Sequence, residues 1–548
     1  MYCAASAQAA PGDDGPGKVS AHSSQDAGPS SAKASAGKSL SAKAAQHRAS
    51  KVIGTDAAKD SSDAPSVNRR TAAKALTPAK RLAADAVDVK VSATYGPHFV
   101  PPSVRAAVVD PPVVPTKVIV GDTAGTTATV VEASDPVDVA LGELAAAQTA
   151  LHQYTWGSGN VLAGLAAVVP QLLLANAASS LTGWQTSNAG LQSEFAATVG
   201  TPIVHDIAGI QLAANNLLPL VAQSSMDGAS LLLPVVGLFG AENAASVVTQ
   251  LVSEARTNGQ VYAVIPVDMR DNGTGVATEP IIYISVNGGE RVPVLIDTGS
   301  TGLVMDPRYV GLTGLGDPIA HGSSGYGEDF SYNYDVYDTT VDFGNGVTTT
   351  PTTVRIVSLE SVQAFQDYND QGAGYVGILG IGPNANTFVG DTDATVPMTA
   401  LAGLLNKGML LDERHRVLVL GPAPLPARVT LPGAPSTDVL VKIGNLAVQP
   451  ALANIDSGGV FGSLPEFLVA GTQYAAGIPP GTVISVYNAD GSQLLYSYTT
   501  TERTSPTVVP GGVEGDWYVT GYFPFDRGPI YIDLQANNGS GETRFVYT

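Results

Sequence analysis

Two four-residue stretches constrain this 548-residue chain more than any other feature: Ile296-Asp297-Thr298-Gly299 and Ile455-Asp456-Ser457-Gly458. Each closes an apolar run, Val294-Leu295 in one case and Ala451-Leu452-Ala453 just before Asn454 in the other. They hold the only Asp-[Ser/Thr]-Gly triplets in the chain. A carboxyl carried to the buried end of an apolar strand is costly unless it is paired or used. A Gly two residues on lets another backbone come close. The acids lie 159 residues apart, one in each half of a strand-rich region, so the chain is expected to build two matching strand-and-turn units.

Chemistry supplies a reason for such a pair. Hydrolysing a peptide without metal, serine or cysteine needs a water made nucleophilic and a leaving amine protonated. Two close carboxyls cannot both ionise cheaply, so they share one proton and act as base and acid together. The Thr298 and Ser457 hydroxyls are placed to lock the two loops by hydrogen bonds across the pair, and Ser300 to support Asp297.

From about residue 258 onward, short period-two segments such as PIIYISVN, RVPVLID, TTVRIVSL, HRVLVLG, TDVLVKIG and PIYIDLQ alternate with Gly, Asn-Gly and Pro. This predicts a mainly β region over 258–548, with halves of about 258–400 and 410–548. A helical interruption is expected at 397–409. The single cysteine, Cys3, excludes an intrachain disulfide, so burial alone must hold the fold. The net charge is −20, and residues 1–90 carry 13 Lys/Arg against 8 Asp/Glu, which leaves the remainder strongly acidic. Such a body repels phosphate backbones, and nucleic-acid binding is not expected.

Residues 1–130 are rich in Ala, Ser, Lys, Pro and Asp and almost free of aromatics. They are read as a disordered low-complexity tail, extended over the five prolines between Pro101 and Pro115. The opening MYCAASAQAAPG resembles the cleavage region of a secretory leader, and equally an Ala-rich tail. Over 136–257 the pattern becomes helical: a Ser/Asp-Pro start, then Ala/Leu periodicity, with further helices near 160–180, 185–198, 205–224 and 240–256. Val161 to Ala178 is apolar enough to raise a membrane span, but Pro170, Gln171 and Asn176 favour a bundle core. Trp156 and Trp184 are expected to anchor that core. His152 and His205 stand alone, so no metal is expected there.

The β region resembles the pepsin-like aspartic proteases. PIIYISVNGGERVPVLIDTGSTGLVM is similar to the family's opening hairpin and first catalytic loop. Ser324-Gly325-Tyr326-Gly327 matches the flap, with Tyr326 as its tyrosine, and GILGIG and WYVTGYF match the strands crossing behind each loop. The wording IDTGSTGL, GILGIGP and NIDSGG is closer still to the aspartic protease domain of mycobacterial PE-family proteins. Two departures stand out: Gly459 replaces a usual Ser or Thr, and no Trp follows the first motif. The front half does not resemble the helical domain that precedes the protease in those proteins.

The resemblance implies a bilobal pepsin-like fold and an endopeptidase of exported or cell-surface proteins, self-processing among its expected activities. Asp297 and Asp456 would be catalytic, with Thr298, Gly299, Ser300, Ser457 and Gly458 supporting them and Tyr326 closing a flap over a peptide substrate. No cofactor or metal is implied, and the protein is expected to be secreted or at the cell surface. Two alternatives stay open. One is an aspartic-protease fold kept only for binding; the other is an envelope module attached through 136–257.

Overall fold

The computed structural model describes residues 135–326, 330–369, 373–385, 394–510 and 517–546; the tail expected over 1–130 lies outside them. The described chain opens with four helices, α1 (Pro136–Tyr154), α2 (Val161–Ala197), α3 (Pro202–Leu238) and α4 (Glu242–Asn258). Asp135 caps α1 by accepting the Val137 N–H at 2.9 Å, and Asn160 caps α2 by accepting that of Ala163 at 3.1 Å. The buried positions of α2 include Ala163, Ala167, Pro170, Leu174, Ala177, Leu181 and Trp184. Those of α3 include Ala208, Leu212, Asn215, Pro219, Ala222, Met226, Ala229, Leu233 and Val236. Both step by alternating threes and fours, the spacing that keeps one seam of a helix on its neighbour.

That seam explains why α2 and α3 run longer than expected. Neither Pro170 nor Pro219 ends its helix, because each lies in the buried stripe and packing holds the helix on both sides of the lost hydrogen bond. α2 is long and apolar enough to cross a membrane, yet only a third of its most apolar stretch is buried. Trp184 is buried in the bundle and meets Tyr262 edge-on at 6.0 Å. Trp156 does not anchor the core as expected: it sits in the turn after α1, 36% exposed, with its ring lying over Gly164. The bundle rests on the β region, where Gln192 Nε2 donates to Ala423 O at 2.9 Å and Asn216 Nδ2 to Pro424 O at 2.8 Å.

Among the described residues the β region forms three sheets. A ten-stranded sheet uses strands between residues 268 and 381, and a seven-stranded sheet uses strands between 436 and 519. A six-stranded sheet draws on both ends, with Ala263–Pro266 paired to Val417–Leu420, and Ile530–Asp533 and Glu542–Val546 joined to the same layer. One hydrophobic cluster runs through all three sheets, from Ile265 and Ile296 to Leu411, Ile455 and Phe545.

Two local expectations need correction. Residues 397–409 are helical only in short pieces and contain no α-helix. They make two short 3-10 turns, Pro397–Ala400 and Gly403–Asn406, and then enter strand Gly408–Asp412. Gly403 takes a positive φ of 61°, and pairing with Val417–Leu420 captures the next residues. In WYVTGYF only Trp517–Val519 is strand; Gly521 turns the chain at φ 61°, and Phe523–Arg527 coils into a short helix.

Candidate active site

Each aspartate stands where a strand runs out. Strand Val292–Asp297 pairs antiparallel with Ala277–Val286 and parallel with Gly377–Ile381, whose Gly380 lies beside Asp297. Strand Gln449–Asn454 pairs parallel with Trp517–Val519, two residues before Asp456. In both halves a strand from GILGIG or WYVTGYF pairs parallel with the strand that leads into the aspartate.

The two loops are locked by an exchange of hydrogen bonds. The Thr298 N–H donates to Ser457 Oγ at 3.1 Å, and the Ser457 N–H donates to Thr298 Oγ1 at 2.8 Å. Each hydroxyl then donates to the carbonyl before the opposite acid: Thr298 Oγ1 to Ile455 O at 2.6 Å and Ser457 Oγ to Ile296 O at 2.8 Å. All these groups are buried, where an unmet polar atom would cost about 1–3 kcal/mol. Four reciprocal bonds fix the relative position of the two strand ends.

That lock brings the carboxyls face to face across the glycines. A Cβ on Gly299 would lie 2.5 Å from Asp456 Cγ, and a Cβ on Gly458 would lie 3.0 Å from Asp297 Oδ1. Each acid thus fills the space that a side chain on the other loop's glycine would need. Both acids are fully buried. The environment is asymmetric. Asp297 accepts the Gly299 N–H on Oδ1 at 2.8 Å and the Ser300 hydroxyl on Oδ2 at 2.5 Å. Asp456 accepts the Gly458 N–H on Oδ1 at 2.9 Å, and no donor reaches its Oδ2. Gly459 explains the difference, because a Cβ there would come within 2.6 Å of that same oxygen.

Burial pushes both carboxyls above the usual aspartate range. For Asp297 the donors Ser300, Asp456 and Gly299 oppose the rise. For Asp456 the neighbouring charge of Asp297 adds to desolvation and drives its carboxyl well above that range. Of the two acids, Asp456 is the one with an oxygen, Oδ2, that no donor reaches. As a coupled pair, the two acids lose their protons in steps that belong to both.

The expected flap tyrosine lies elsewhere than over open solvent. Tyr326 ends strand Ala320–Tyr326, which pairs with Phe330–Thr339. Its ring is buried and stacks on Tyr332 and Tyr368, each at 5.8 Å, against α5 (Val362–Asn369). Sequence reasoning missed Thr520, whose Oγ1 accepts the Asp456 N–H at 3.0 Å, and Asn454, whose Nδ2 donates to Gly299 O at 3.4 Å. Thr520 follows the Trp-Tyr-Val strand directly, and that position was the available signal.

With this geometry in place, the chain was compared with known proteins. A model of the family described as "PE-PGRS C-terminal aspartyl peptidase-like domain" matches residues 263–543, just over half of the sequence. The chain belongs to this family. The matched aspartyl peptidase-like domain holds both Asp-[Ser/Thr]-Gly loops and, but for the end of strand Glu542–Val546, all three sheets. Over 293 residues it is 38% identical to PE cleavage protein A of Mycobacterium tuberculosis, covering 49% of this chain and 50% of that protein. PE cleavage protein A of Mycobacterium marinum is 37% identical over 292 residues, with the same coverage. The chain spans about half the length of these curated relatives. A crystal structure of basic 7S globulin from soybean aligns with a TM-score of 0.33 at 11% identity, over 53% of this chain and 97% of that one.

Proposed function

We propose that this protein is an aspartic endopeptidase with a bilobal, pepsin-like catalytic domain, acting through the pair Asp297 and Asp456. The observation that carries the reading is the mutual approach of each acid onto the other loop's glycine, 2.5 Å and 3.0 Å from the Cβ positions. Asp297 is the base, because its two oxygens already receive donors that stabilise the charged form. It takes a proton from a water held between the carboxyls, and the water oxygen bonds to the scissile carbonyl carbon. Asp456 gives its proton to the carbonyl oxygen as the C=O double bond opens. Collapse of the tetrahedral diol then breaks the C–N bond. The amine leaves with the proton that Asp297 took up, and one hydroxyl proton returns to the pair, restoring one proton across the two acids.

The relatives' name, PE cleavage protein A, supports exported PE-type proteins as the substrate class. On this reading the enzyme works outside the cell or at its surface, on an extended peptide. Self-processing is part of the proposal: Asp297→Asn protein expressed in its host should keep N-terminal residues that the wild type loses. Trimming at the same site in both would assign the cut to another protease.

The test is cleavage of a generic peptide by purified protein from acid to neutral pH, with and without pepstatin. Pepstatin-sensitive cleavage is expected, with Asp297→Asn and Asp456→Asn each falling by roughly 10²–10⁴-fold or more. Cleavage that survives both substitutions would overturn the assignment.

A further inference from the structure

A third carboxyl lies beside the pair. Glu279 sits on strand Ala277–Val286, which runs antiparallel to Val292–Asp297 with Ile281 opposite Leu295 and Ile282 opposite Val294. Continued by two residues, that register sets Glu279 abreast of Asp297, with both side chains on one face. The paired ladder ends at Ile281 and Leu295, so the two acids stand just beyond its last pair. Glu279 is 3% exposed, and its Oε2 has no hydrogen-bond partner. Its other oxygen accepts only the Asn272 amide, at 3.2 Å.

Among the described residues, no Lys, Arg or His side chain is paired with it. Arg270, its neighbour on the other side in the ladder, is engaged by Asp268, the Tyr283 hydroxyl and the carbonyls of Ala373 and Gly374. Facing Glu279 are instead further acids: Asp297 and, beyond it, Asp456, and Glu413 from the turn between Gly408–Asp412 and Val417–Leu420. Glu413 is itself buried with an unpartnered Oε1, and has Asp412 and Asp526 near it.

We infer that Glu279 is a positioning residue of the same centre: a buried, proton-holding neighbour whose charge, once formed, makes the Asp297–Asp456 pair keep its shared proton to higher pH. The inference rests on the endopeptidase reading for its kinetic part only. Desolvation and the Asp297 charge lift the Glu279 carboxyl to about 8. Below that pH the residue is neutral and leaves the acidic side of the reaction alone. As it ionises, it adds a negative charge beside Asp297, and proton loss from the pair becomes harder.

The experiment is the pH profile of kcat/KM for wild type and Glu279→Gln, together with thermal melts of wild type and Asp297→Asn across the same pH range. Glu279→Gln should move the alkaline limb toward acid by at least about half a pH unit and leave the acidic limb in place. A profile merely scaled down, with both limbs unmoved, would overturn the inference and leave Glu279 a structural residue. The melts read the coupling without any turnover. Wild-type stability should fall from the ordinary carboxylate range up to the pH at which Glu279 ionises in the fold, and Asp297→Asn should bring the end of that fall to lower pH. An unshifted fall would also overturn it. If wild type cleaves nothing, the endopeptidase reading fails, and the melts still decide whether Glu279 and Asp297 are coupled.

Discussion

At the residue scale the site is an argument about space and donors. Gly299 and Gly458 are required because each leaves room for the opposite carboxyl. Gly299→Ala should therefore abolish cleavage while the helical bundle stays folded, read as lost turnover with unchanged helical circular dichroism. Ser300 supplies the shortest bond to Asp297. Ser300→Ala removes a donor that favours the charged form, so the Asp297 carboxyl should rise further and the acidic limb of the rate profile should move to higher pH. A profile that shifts toward acid, or not at all, would contradict the donor's assigned role. Both acids were legible in the sequence because Asp-[Ser/Thr]-Gly after an apolar run is rare and occurs twice. Glu279 was not legible. A lone Glu at the head of a strand reads as solvated, and only the register beside Asp297 reveals otherwise.

At the element scale the sequence spoke most clearly where periodicity was strict. The period-two segments became strands, and the helical region became four helices joined by short turns. What misled were residues whose local preference lost to packing. The breaks expected near 181–184 and after 224 do not occur, because the buried seams of α2 and α3 carry both helices through. Leu404 and Leu405 looked helical, but Gly403 and the neighbouring sheet turned the segment into 3-10 and strand. The seam makes its own prediction. Leu181→Ala, fully buried in α2, should cost about 2–5 kcal/mol in chemical unfolding, whereas Leu172→Gln on the exposed face of the same helix should cost well under half of that. Equal losses would mean that the outer face is also covered.

At the scale of the whole molecule, the buried acids set the response to pH. Asp297, Asp456, Glu279 and Glu413 all hold their protons more tightly when folded than an exposed carboxyl does, with desolvation as the main cause in each. The folded state therefore binds more protons than the unfolded chain above the ordinary carboxylate range. Stability from these groups is fully present below about pH 4 and is lost as pH rises, the Glu279 share being gone above about pH 8. The net charge of −20 adds self-repulsion in the same direction. Thermal melts should show Tm falling from about pH 5 to pH 8, and Glu413→Gln should flatten that fall. A Tm that rises over this range would show that the buried carboxyls are ionised in the fold.

The central claim is that one solvent-derived oxygen is held between Asp297 and Asp456. The direct measurement is a crystal structure of the protein with a peptide whose scissile amide is replaced by a secondary alcohol. The alcohol oxygen is expected within hydrogen-bonding distance of both carboxyls at once. An alcohol bound to one acid alone, or seated away from both, would contradict it.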